Sequence, residues 1–390
     1  MEKNNGKIKR GKNKGFIDAI ATITGTTIGA GMFGIPYVFA KSSFLIGVMN
    51  LLLIFFVILF VNLAMAKITL IRKKPYELTG YAKILLGNFG KHAMAIVTFL
   101  SISGALLAYL IGTGEALADI FSFSSLSAYH FTLISFIILA FIVFFDLKGV
   151  EKSETFATAL LLLVALAVII LGIFNFDPKN IDFSLNLSFS KLFLPYGVIL
   201  FAFLCLAAIP EARQELKGNE KKFKHAIIIG TTIPLIIYFL FTLAVVGVTG
   251  VNTSELAIPG LAKLGKTVVL LGDILIILAM VTSFITLALA LRWILQYDYK
   301  IKKIYAWFIS CGIPIVMFLF GFENFIKTLS ITGGVAGGLS VILILIMAKR
   351  ADKFRVKEIK LRISLSLFIL LLILFVLGII YQFLFINFLS

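Results

Sequence analysis

The 390-residue chain is 60% hydrophobic and only 14% charged, with a mean hydropathy of +1.07. A soluble domain carries roughly 25% charged residues, so a protein with a fully hydrated surface is excluded and the surrounding solvent is membrane lipid. The formal net charge of +17 does not mark a nucleic-acid face, because Lys and Arg sit in short clusters between long apolar runs.

A helix crossing the hydrocarbon needs about 20 apolar residues. Eleven such spans are predicted, near 17–40, 44–68, 92–118, 130–146, 155–175, 192–211, 226–248, 268–291, 304–321, 326–348 and 364–388. The fold class is therefore an all-α polytopic membrane protein, and the segments between spans leave no room for a soluble domain. Residues 1–15 read as a basic tail. The first apolar run ends in no small-residue cleavage pattern and is expected to stay in the mature protein. With the N-terminus inside, the inner segments hold thirty basic residues and the outer ones six: Lys41, Lys179, Lys191, Lys263, Lys266 and Lys327. The positive-inside rule then predicts a cytoplasmic N-terminus, an outside C-terminus and residence in the cell membrane.

Two spans break the apolar pattern. The first contains Gly25, Gly29 and Gly31 within seven residues. These glycines let the backbone open, or else Gly25-x-x-x-Gly29 forms a small-residue packing face. The sixth span carries Pro195, Gly197 and Pro210, and Pro210 disfavours regular helix near its cytoplasmic end. The two lie five spans apart, so a second group of five would run upside down relative to the first. Interrupted helices at matching places in inverted halves point to a midplane substrate site. Half-helix ends offer N–H groups to a carboxylate and carbonyls to an ammonium.

The stretch Gly25-Thr-Thr-Ile-Gly-Ala-Gly-Met-Phe-Gly-Ile-Pro36 resembles the first-helix signature of the amino acid–polyamine–organocation superfamily, closest to the aromatic amino acid permeases and their amino acid/auxin relatives. Ala208-Ile-Pro-Glu-Ala-Arg-Gln-Glu-Leu-Lys217, and Pro234-x-x-x-Tyr238 with Val246-Gly-Val-Thr-Gly250, resemble the same group. The resemblance implies the LeuT fold, a 5+5 inverted repeat over 16–175 and 192–348 with 364–388 as an additional helix. It further implies a secondary transporter importing a neutral, hydrophobic or aromatic L-amino acid by alternating access.

By that resemblance the N–H groups of Ala30 and Gly31 would hold the substrate carboxylate. Carbonyls at Thr27, Phe201 and Ala202 would hold its ammonium. Tyr109 falls where a polar aromatic covers the carboxylate, or is a packing aromatic, and Phe203 would form a gate or side-chain pocket. In Na⁺-coupled members, carbonyls at Gly25, Ile28 and Ala279 with hydroxyls at Thr282 and Ser283 would bind the coupling ion. The alternative is that both hydroxyls bond back to their own helix. Met32 stands where a second sodium site would want a side-chain oxygen. Two departures bear on the substrate and the ion. Phe201–Ala208 is apolar apart from Cys205 where aromatic permeases often carry a polar stretch, and the fifth span, Thr155–Phe176, lacks the Lys of some proton-coupled relatives.

An enzyme within the bilayer would need clustered acids or histidines. His92, His130 and His225 sit at span ends, and Glu115, Asp119, Asp146, Glu211 and Asp273 are scattered along the chain. Cys205 and Cys311 lie inside apolar runs, as small core residues do. No cofactor is implied beyond Na⁺ as a coupling ion, and no obligate protein partner is evident. A transporter-fold sensor or channel would need the same pocket without turnover.

Overall fold

The computed structural model describes the backbone of residues 2–145, 150–185, 188–216, 218–354, 356, 358–359 and 361–385, with side chains from residue 14 on except 150–158, 298 and 385. Asp146, Lys148, Lys217 and the end of the predicted eleventh span lie outside the described residues, as do the side chains of Lys152 and of the basic residues before Lys14.

Among the described residues all regular structure is helical, as a chain in hydrocarbon requires when it must satisfy each backbone group within its own segment. The first helices are α1 (Glu2–Thr27), α2 (Gly31–Ser42), α3 (Phe44–Leu70), α4 (Leu78–Ile120), α5 (Ala128–Phe144) and α6 (Val150–Phe174). Then come α7 (Phe189–Phe193), α8 (Tyr196–Phe203), α9 (Ala208–Glu215), α10 (Phe223–Thr249) and α11 (Lys266–Trp293). The last are α12 (Lys303–Leu319), α13 (Phe325–Ile331), α14 (Gly338–Ala351) and α15 (Leu365–Phe385). Seven stretches are long and apolar enough to span a membrane, and the pair α1–α2, bent by 54°, makes an eighth. Three shorter apolar helices, Ala128–Phe144, Ala159–Phe174 and Lys303–Leu319, lie between them. The chain is a multi-pass membrane protein.

Four boundaries differ from the sequence reading. The basic stretch expected as a tail is the first part of α1, which begins at Glu2. The third span begins early, at Leu78, with a joint at Gly87 (φ 77°). Tyr81, Ala82 and Leu85 are buried there while Lys83 and Asn88 face out, so this first piece is amphipathic and fell below the hydropathy of a span. In the sixth span the helix opens at Leu204 (ψ 108°), not at Pro210. Pro210 sits in the first turn of α9, where its missing N–H is one of the donors a helix start leaves unpaired anyway. The tenth span, expected to be plain, contains a π-helical turn, Thr332–Gly337, between α13 and α14. That turn packs against α8, and a Cβ on Gly333 would collide with the Gly197 carbonyl. Glycine at both positions lets the two backbones touch.

α11 packs chiefly on α4 and α6, whereas α1 packs chiefly on α10 and α9. At the end where α3 finishes, the buried Lys67 donates to Asp352 Oδ1 at 2.7 Å and to the Leu361 carbonyl at 2.7 Å. Asp352 Oδ2 accepts from the Ile363 N–H at 3.2 Å. One ion pair thus ties the turn between α14 and α15 to α3. Breaking a buried pair leaves an uncompensated charge, at a cost of about 3 kcal/mol. Asp352→Asn should accordingly lower the melting temperature in detergent, and Lys67→Met combined with Asp352→Asn should recover part of the loss. A double variant no more stable than the single would mean that the pair is not what anchors this turn.

Candidate functional site

Both breaks leave backbone groups that a helix would have paired. After Thr27 the chain turns through Ile28, Gly29 and Ala30, and α2 starts without a side-chain cap. The N–H groups of Ala30 and Gly31 therefore open a helix whose positive dipole end lies inside the protein. After Phe203 the chain runs extended through Leu204 and re-enters helix at Ala208. The breaks face each other. A Cβ built on Gly31 would stand 2.8 Å from Ala202 Cα and 3.0 Å from the Phe201 ring, against a backbone that cannot yield. A Cβ on Gly29 would meet nothing within 4 Å.

The hydroxyl of Tyr238, fully buried on α10, joins the two breaks. It donates to the Thr27 carbonyl at 2.6 Å and also reaches the Ala202 carbonyl at 2.9 Å. A phenol has one hydrogen to share between them. Phe203 packs edge-on against the same ring at 5.2 Å and against Phe55 at 6.2 Å. Tyr109, buried on α4, lies within electrostatic reach of the Tyr238 hydroxyl. Thr27, Gly31, Phe201, Ala202 and Phe203 thus meet around the opened turn and Tyr238, with Ala30 beside Gly31 in the chain.

The proposed ion ligands lie on two separate elements. Gly25 and Ile28 lie on and just after α1, whereas Ala279, Thr282 and Ser283 lie on α11, which has other principal neighbours. The Thr282 hydroxyl donates to Leu278 at 2.9 Å and to the Ala279 carbonyl at 3.1 Å. The Thr282 hydroxyl thus bonds back to its own helix, as hydroxyls within helices do.

Sequence reasoning gave no site role to three polar residues beside the breaks, Asn62, Thr231 and Tyr238, the last noted only as part of a motif. Asn62 Nδ2 reaches Cys205 Sγ at 3.4 Å and Thr231 Oγ1 at 3.3 Å, and its Oδ1 is buried without a partner. The Thr27 hydroxyl also reaches Cys205. Asn62 and Tyr238 each stand as a polar side chain in an otherwise apolar stretch of span, a signal on which such residues could have been singled out.

At one end of the broken pair the helices are clamped. Arg213 of α9 donates to the carbonyls of Thr69, Arg72 and Lys73 and to the Tyr81 hydroxyl, while Thr22 of α1 donates to Glu215 Oε1 at 2.7 Å. At the other end a cavity of about 510 Å³ opens, lined by Glu115, Asp119, Glu255 and Glu323. Of the acids that the sequence showed scattered, Glu115 and Asp119 share this space with Glu255 and Glu323. Glu255, in the connection between α10 and α11, accepts from Asn324 Nδ2 at 2.7 Å and from the Ile326 N–H at 3.4 Å. Burial pushes its carboxyl above the ordinary value against the pull of those donors.

Two predictions test this geometry. Gly31→Ala should lower stability through the collision with α8, whereas Gly29→Ala should fold normally and weaken ligand binding only if the opened turn is approached by a ligand. Melting curves with and without amino acids separate the two outcomes. The raised carboxyl of Glu255 adds stability that is fully present below the ordinary carboxylate range and lost as pH rises through its folded value. Glu255→Gln should therefore flatten the acid-side gain in melting temperature; an unchanged pH profile would remove Glu255 from this role.

Comparison with known proteins adds an independent line. The chain is 21% identical to glutamine transporter 2 of Aliivibrio fischeri, over 86% of this chain and 89% of the relative. It is 26% identical to tyrosine-specific transport system 1 of Haemophilus influenzae, over 82% and 84% of the two chains. It is 27% identical to tyrosine-specific transport system 2 of the same organism, over 87% and 88%. The family model that matches it, over residues 12–384, describes tryptophan/tyrosine permeases. With that match running through both broken helices and nearly the whole chain, the protein belongs to the tryptophan/tyrosine permease family.

Proposed function

We propose that this protein is a secondary active transporter that imports a neutral L-amino acid, hydrophobic or aromatic, by alternating access. The observation that carries the reading is the meeting of two broken helices at Tyr238. An uncapped helix start and two converging carbonyls inside the protein are what a zwitterion's carboxylate and ammonium require. The names of the relatives, tyrosine and glutamine transporters, support the same substrate class.

In this reading the N–H groups of Ala30 and Gly31 receive the carboxylate. The ammonium displaces the Tyr238 hydroxyl from the Thr27 and Ala202 carbonyls. Phe203 and Tyr109 close over the side chain. The three shorter apolar helices also cross the membrane, giving eleven spans in the 5+5 inverted arrangement of the LeuT fold, within the amino acid–polyamine–organocation superfamily. The basic residues place the N-terminus in the cytoplasm. The clamp at Arg213 and Glu215 then lies inside and the acidic cavity outside, as in an outward-facing stage of the cycle. The coupling ion is Na⁺ or H⁺, with Gly25, Ile28, Ala279, Thr282 and Ser283 as ligands in the first case.

Ligands that bind the folded state alone raise its melting temperature. Purified protein should be stabilised by some of the twenty amino acids, and proteoliposomes should show counterflow of those same ones. Stabilisation without counterflow would favour a sensor, and neither response would sink the proposal. Replacing Thr282 and Ser283 with Ala should weaken Na⁺-dependent binding at least tenfold, about 1.4 kcal/mol, if Na⁺ couples. Binding indifferent to Na⁺, with uptake following an imposed pH gradient, would remove the sodium site and turn attention to Glu115 and Asp119. For topology, a cysteine at Lys179 should react with impermeant reagents from outside intact cells and one at Asn219 should not. The reverse pattern would overturn the orientation.

A further inference from the structure

Away from the helix breaks, α5 and α12 enclose a groove of about 560 Å³ between Phe136, Phe141, Trp307, Cys311 and Gly312. Its polar atoms are already paired: Trp307 Nε1 donates to the Ala140 carbonyl at 2.8 Å, and the Ser310 hydroxyl, on the buried side of α12, donates to the Trp307 carbonyl at 3.1 Å. The occupant must therefore offer an apolar chain. Phe141 and Phe308 are largely exposed on the groove's outer face, as side chains that meet hydrocarbon would be.

One end of this groove is chemically distinct. α5 ends and α12 begins there, with Lys303 Nζ 5.7 Å from the Phe144 ring centre. Lys300, Lys302 and Lys303 are exposed, and the sequence from 298 to 303 sets one Asp against three Lys. Tyr297, Tyr299 and Tyr305 are exposed beside them, the arrangement that aromatic rings take at a membrane–water interface. From Lys303 to Gly312 the helix rises about 14 Å, close to one leaflet of hydrocarbon at about 15 Å. Lysine at the mouth, tyrosine at the rim and an apolar slot whose far end lies about one leaflet from the lysines match a single lipid in headgroup, interface and tail.

We propose that the α5–α12 groove is a binding site for an anionic phospholipid, with one acyl chain between Phe141 and Trp307 and the phosphate on Lys300, Lys302 and Lys303. Charge decides against a second copy of the chain as the occupant. A two-fold contact through this groove presents the same patch from each subunit, and in a parallel pair the two lysine clusters would face each other. Clusters of basic residues beside membrane helices select anionic headgroups by the same electrostatics.

The test uses the full chain in lipid and the protein's tryptophans. There are two, Trp293 and Trp307; Trp293 is 43% exposed, and Trp293→Phe leaves Trp307 as the reporter. Phosphatidylglycerol and phosphatidylcholine with the same brominated acyl chains are titrated separately, and quenching of Trp307 gives their relative binding constant. We expect phosphatidylglycerol to be favoured about fivefold at low salt, with the preference shrinking as salt is added. Changing all three lysines to Gln should bring the ratio to about one while phosphatidylcholine quenches as before. A Cβ on Gly312 would meet nothing within 4 Å, so a side chain can start there, and Gly312→Leu should occupy the groove and reduce quenching by both lipids. Equal quenching by both lipids in the parent protein would overturn the proposal, as would a preference that survives the lysine changes. A dimer in native mass spectra that Gly312→Leu dissociates would overturn it in favour of a second copy.

Discussion

An unpaired backbone group in hydrocarbon costs several kcal/mol, and the centre of this molecule is arranged around that constraint. Two helices open within the protein interior, after Thr27 and after Phe203. Their freed carbonyls turn to one phenol, Tyr238. Its hydroxyl stands where a ligand's ammonium would sit in the proposed transport reading, so the phenol and the ammonium would compete for the same two carbonyls. Holding two carbonyls with a single hydrogen leaves their pairing incomplete, and a group with more hydrogens to donate can compete for the place.

Close backbone approach is the second theme, and it follows from the first. Opened segments can be steadied by neighbouring backbone only if no side chain intervenes. Gly31 meets Ala202, and Gly197 meets the π turn at Gly333. The sixth span is thereby held between the first and the tenth. Of the two readings of the first-span glycines, the opened backbone is met between Thr27 and Gly31, where Gly31 also packs closely on Ala202, whereas the space beside Gly29 stays clear.

Charge is kept to the ends. Arg213 ties α9 to the turn after α3, and Lys67 with Asp352 ties α3 to the turn before α15. Carboxylates collect in the cavity at the opposite end. An arrangement clamped at one end and open at the other suits alternating access, in which one end closes as the other opens. Along the flank, the α5–α12 groove points toward lipid and is separate from this axis.

The sequence by itself determined the solvent, the helical class, the order of the hydrophobic stretches and the first of the two breaks. Hydropathy and glycine spacing are local properties, and a bilayer leaves a chain few alternatives. The second break was legible only as a region: Pro210 drew the eye, but a proline in the first turn of a helix is tolerated, and the extended residue is Leu204. Only the tertiary structure decided that Tyr238 spans both openings, that Asn62 and Thr231 meet Cys205, and that Glu115 and Asp119 share a cavity with Glu255 and Glu323. These residues are separated by tens to hundreds of positions, and no periodicity encodes which distant helix faces will touch. A spacing along one helix fixes what shares a face, and packing between helices fixes what that face meets.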